Sequence, residues 1–145
     1  MPMADQSEKL KLDENHRRAV SVVLQSLERM CDDCEAWMAR SSGLLLRVQN
    51  DLSERQRESL RNHLQQVRDE LRRISHEMVV DVKTQFPQRA VLALLVSNVT
   101  NLEETNSKQL RGYGRLSGEA AERVDTEMAR LNAILEQMIN AIEQG

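Results

Sequence analysis

Val20, Leu24, Leu27, Cys31, Cys34 and Met38 follow one another at intervals of 4, 3, 4, 3 and 4 residues. An α-helix returns residues so spaced to one face, and a neighbouring helix must cover that face to bury it. The pattern recurs along the chain. Leu60, Leu64, Val67, Leu71, Ile74 and Met78 form a second seam. Leu92, Leu95, Val99, Leu102, Asn106 and Leu110 or Tyr113 form a third, and Ala121, Val124, Met128, Leu131, Leu135, Met138 and Ile142 a fourth. Four seams in 145 residues, with two prolines, five glycines and one each of Phe, Tyr and Trp, mark an all-α chain.

The helix boundaries follow from capping signals. The first seam continues through Ser41, Leu45, Val48 and Leu52. It reads as one helix over about 13–50, bent or interrupted near Gly43; the rival reading ends it at Ser42 and makes 44–50 a separate helical turn. Ser53 with Gln56 forms a capping box, so helix 2 runs over about 53–83. Phe86-Pro87 separates it from helix 3, about 87–111, because proline suits the first helical turn. Ser117 caps helix 4, about 118–143. Residues 1–12 read as a flexible N-terminal arm. Short connections make successive helices antiparallel neighbours, so residues 13–145 are expected to close into a single up-down-up-down four-helix bundle. Counting layers from the turns sets Cys31 and Cys34 level with Leu71, and Trp37 and Met38 level with Leu64, Asn106 and Val124.

Met30-Cys31-Asp32-Asp33-Cys34-Glu35 holds the only two cysteines, at C-x-x-C spacing. Cys31 and Cys34 share a helix face and are the weak candidates for a thiol metal or redox site. Zinc needs about four ligands, and His16, His63 and His76 do not complete a set by helical phase. A redox C-x-x-C belongs at a helix N-terminus, and this one is in mid-helix. Two reduced thiols in a core layer are the better reading, with no cofactor or metal. A ferritin-type carboxylate site needs inward Glu-x-x-His pairs, which the seams lack. His76 has an exposed phase but acids beside it, which argues against phosphotransfer. No Gly-rich phosphate loop or nucleophile–base pair is present in the sequence, so catalysis is not expected.

Three further features concern binding. Asn106 is the one polar residue on the third seam; it would fix register or, with Trp37 and His63, line a small ligand pocket. Ala90, Ala93, Leu94 and Ser97 make an apolar strip on the outer face of helix 3, the expected contact of a homodimer. The formal charge is -3 and aromatic residues are scarce, which argues against nucleic-acid binding. The longest apolar run, Ala90–Val96, is too short to span a bilayer, and the polar first 18 residues contain no apolar core of a secretory signal. The sequence therefore leads to a cytoplasmic, non-catalytic helical module that contacts itself or another helical protein, with no membrane partner. A ligand-sensing bundle is the alternative, and a thiol metal or redox protein the third reading.

Overall fold

The structure, a computed structural model, describes residues 10–145. Of the arm expected over residues 1–12, all but Leu10, Lys11 and Leu12 lies outside the described residues. The described residues form five α-helices: α1 (Glu14–Ala39), α2 (Glu54–Glu77), α3 (Pro87–Glu104), the single turn α4 (Ser107–Leu110) and α5 (Gly118–Gln144), with a 3-10 turn at Arg111–Tyr113 before the last. No β-strand occurs among the described residues beyond one isolated bridge, Leu10 with Met78. The packing is α1 on α2 and α3 on α5, which is simpler than the four-helix bundle expected. The chain divides into two compact units, Met1–Lys83 and Thr84–Gly145.

In the first unit the caps form where Asp13 and Ser53 place them. Asp13 accepts from the His16 amide at 2.8 Å, and Ser53 and Gln56 complete both bonds of the capping box. The long first helix is not realised. α1 stops at Ala39, and 44–50 is not helical either. Ser42 takes the backbone instead: its Oγ accepts from the Val48 amide at 2.9 Å and donates to the Val48 carbonyl at 3.2 Å. Serine beside glycine offers the chain an alternative to the helical ladder. Helix 2 likewise ends at Glu77 rather than 83. Met78 turns extended, and Leu10 pairs with this segment through Leu10 N–H to Glu77 O (3.0 Å) and Val79 N–H to Leu10 O (3.2 Å). Two consecutive valines favour that conformation.

Buried Ser21 anchors the extended segment by accepting from the Asp81 amide at 2.7 Å. Gln25 donates to the Asp81 carbonyl, and Arg17 Nε stands 3.1 Å from the Asp81 carboxylate at an angle too poor for a hydrogen bond. Deeper in the hairpin, Arg68 bonds Asp32 at 2.9 Å and Glu35 at 3.2 Å. These pairs fix an antiparallel register that sets Cys31 beside residues 69–71. Among the described residues of this unit, Cys31 and Leu64 are the buried apolar side chains.

In the second unit α3 breaks at Thr105–Asn106 instead of running to 111. Asn98, Thr100 and Thr105 each donate a side-chain hydrogen bond to the carbonyl four residues back, which weakens and bends a helix. Asn106 is therefore not a seam residue of a continuous helix. Its Oδ1 caps α4 by accepting from the Gln109 amide (2.9 Å), and its Nδ2 donates to the Glu103 carbonyl (3.0 Å). Ser107 then donates both its amide (2.8 Å) and its hydroxyl (2.7 Å) to Asp125 on α5. α5 matches the expected helix 4 within one residue. Leu95 on α3 and Ala121 in the first turn of α5 are the buried apolar side chains of this unit, at different levels of the hairpin.

The Ser107 hydroxyl, then its amide, with Arg111 adding a smaller attraction, hold the Asp125 carboxyl below the usual carboxylate range. A lowered carboxylate contributes stability that is complete above the ordinary value of about 3.9 and is lost as pH falls through the folded value. In an NMR titration, Ser107→Ala is expected to move the Asp125 midpoint upward. An unmoved titration in that variant would show that Ser107 does not hold the carboxylate.

Candidate functional site

Two helices cannot enclose two seams each, and the consequence is visible on both hairpins. On α1 the seam through Val20, Leu24, Cys31 and Met38 faces α2. Beside it runs a second strip, Val23, Leu27, Met30, Cys34 and Trp37, at intervals of 4, 3, 4 and 3. Val23 is 58% exposed and Trp37 62%, while Leu27 and Met30 are partly exposed and Cys34 is half-buried. The seam written in the sequence therefore splits in the structure: Cys31 is wholly buried, and Cys34 lies on the open strip.

The α3–α5 hairpin leaves a more coherent face. Gln88 Nε2 donates to the Ile142 carbonyl at one end, and Ser107 meets Asp125 at the other. That register brings Leu94 level with about residue 137. Val91 and Leu94 of α3 then share one side of the hairpin with Leu131, Ile134 and Met138 of α5, opposite the side carrying the Ser107–Asp125 contact. Leu94 is 65% exposed and Ile134 53%. Ala90, Ala93 and Ser97 are also exposed. The sequence placed this strip on α3 alone. The α5 half was missed because Leu131 and Met138 fit the inner seam as well as its flank, while Asn132 and Ile139 turn inward in their stead.

The face is also nearly free of charge. No Asp, Glu, Lys or Arg occurs from Ala90 to Leu102. On α5 Glu127 and Arg130 border the patch, and Glu127 is engaged by Arg123 (3.3 Å) and by Arg130 itself (3.4 Å).

The remaining candidate residues have local partners. Trp37 lies under the Arg40 guanidinium, 4.1 Å from its ring centre. His63 is exposed, and its Nδ1–H donates to the Ser59 carbonyl at 2.7 Å. Trp37 and His63 belong to the first unit and Asn106 to the second. Asn106 borders a hollow of 270 Å³ with Leu102, Asp125, Met128 and Asn132, whose Oδ1 is buried without a partner. Ligand clefts are usually larger, about 300–1,000 Å³. Among the described residues no three His, Cys, Asp or Glu side chains gather as metal ligands would. Compared with protein-family models, curated proteins and solved structures, the chain matches none.

Proposed function

We propose that the chain is a non-catalytic helical module that works through protein–protein contact, and that its α3–α5 hairpin pairs with the same hairpin of a second copy. Two such hairpins set face to face make an antiparallel four-helix bundle across a two-fold axis, which gives the second strip of each helix the cover its heptads call for.

The observation that carries this reading is the open, uncharged face of Val91, Leu94, Leu131, Ile134 and Met138. With about 200 Å² for each such residue when fully exposed, their open area is roughly 500 Å². An interface of standard size buries about 800 Å² per partner, of which about 60% is apolar, so about 480 Å² is needed. A two-fold contact sets like against like, and a face whose only bordering charges, Glu127 and Arg130, are paired with each other meets little repulsion there.

Light scattering on a sizing column tests this. The wild-type chain is expected at twice 16.7 kDa, and Leu94→Glu or Ile134→Glu, each putting a charge on the face, at the single mass. Both positions are exposed in the isolated hairpin, so helicity should persist in each variant. A wild-type chain that stays at 16.7 kDa at high micromolar concentration overturns the pairing.

A further inference from the structure

The most solvated apolar cluster of the described residues lies in the first unit, in the loop between α1 and α2. Leu44 is 97% exposed, Leu45 91% and Leu46 79%. This loop is not a loose connection. The Gly43 amide donates to the Leu46 carbonyl at 2.8 Å, and Ser42 Oγ bonds both the amide and the carbonyl of Val48. The loop is pinched at its neck and carries three consecutive leucines at its tip.

We propose that this tip inserts into the surface of an anionic lipid bilayer. Three observations point to lipid. First, successive side chains of a tight turn leave it in different directions, and exposures this high mean that none of the three leans on the protein. A protein partner covers one side of such a tip; acyl chains close around all of it. Second, the surroundings are basic. No acid occurs between Glu35 and Asp51, a stretch holding Arg40 and Arg47. Residues 36–61 as a whole carry five arginines against three acids, in a chain whose net charge is -3. Arginines beside an apolar tip suit phosphate headgroups. Third, Trp37 lies in the last turn of α1, 62% exposed with Arg40 stacked on it. An indole with a cation beside it suits the headgroup boundary.

No helix among the described residues is long and apolar enough to cross a membrane. Shallow insertion of a loop needs no such helix. The proposal is independent of the pairing of α3–α5, and Leu94→Glu should leave it intact.

Flotation of the full chain with vesicles tests it, using phosphatidylcholine vesicles with and without one quarter phosphatidylserine. Binding is expected to the anionic vesicles, to fall as salt is raised, and to shift the emission of the single tryptophan to shorter wavelength. Replacing Leu44, Leu45 and Leu46 together by Ser should lower the partition coefficient about tenfold or more. The three side chains are outside any core, so the variant's helicity serves as a control. Arg40→Gln with Arg47→Gln should weaken binding to the anionic vesicles and not to neutral ones. No binding of the wild-type chain at millimolar anionic lipid overturns the proposal. So does binding that the triple variant keeps, which would put the contact elsewhere. A leucine-dependent change of mass in solution without vesicle binding also overturns it, by making the tip a protein contact.

Discussion

Leu64→Ala is expected to be the most damaging conservative change in the first unit, lowering its stability by about 2–3 kcal/mol. Leu64 is 6% exposed and is the one large aliphatic side chain buried between α1 and α2. Truncating a buried leucine costs about 2–5 kcal/mol, and the value depends on how far the site collapses. A hairpin open on one side can shift its helices inward and admit water to the cavity, which favours the lower end. Against total stabilities of about 5–15 kcal/mol for whole domains, a two-helix unit loses a large share. Trp37, the only tryptophan, sits in this unit, so urea unfolding followed by its fluorescence reads the change directly. Leu60→Ala, whose side chain is 37% exposed, is the matched control and should cost clearly less. Equal midpoints for the two variants would place the core elsewhere.

Leu64 also shows what the sequence could convey. Its interval from Leu60 and Val67 identified both the helix and its inner face, because a period of 3.5 residues is a property of the chain itself. The same rule misled at Leu45. That residue continued the α1 phase, yet α1 stops six residues before it and leaves it 91% exposed. Two things were illegible. One is the outcome of local competition: Ser42, Thr105 and Asn106 each offer the backbone a bond the helix cannot match, and heptad counting does not weigh it. The other is the number of neighbours a seam finds. Ser21 lies off the first seam and is nevertheless buried, because the segment beyond α2 runs past it and donates the Asp81 amide. On α5, Leu131 and Asn132 compete for the inward place, and only the partner's position decides between them. The candidate faces were legible as excess apolar residues on α3; their completion by α5 and the leucine tip needed the fold.

Cys31 and Cys34 should separate by orders of magnitude in their reaction with a thiol reagent. Both sit on one helix three residues apart, so their local sequence is nearly shared. Their surroundings are not. Cys31 has no exposed surface, and Cys34 is half-buried on the open strip beside Met30 and Trp37. A maleimide can approach Cys34 in the folded chain. To reach Cys31 it must wait for α1 and α2 to part. Labelling of Cys31 is then slowed by the opening equilibrium of the hairpin, about a hundredfold to ten-thousandfold for an opening free energy of a few kcal/mol. Peptide mapping by mass spectrometry at successive times resolves the two sites. Urea below the unfolding midpoint should accelerate Cys31 steeply and Cys34 little, because only the first depends on opening. Leu64→Ala should do the same in water, and the gain at Cys31 should match the stability lost in the urea experiment. Equal labelling of both thiols in the native chain would show that α1 does not hold Cys31 against α2. Slow labelling of both would mean that Cys34 is covered in solution, and that the strip it shares with Val23, Leu27, Met30 and Trp37 has found a partner of its own.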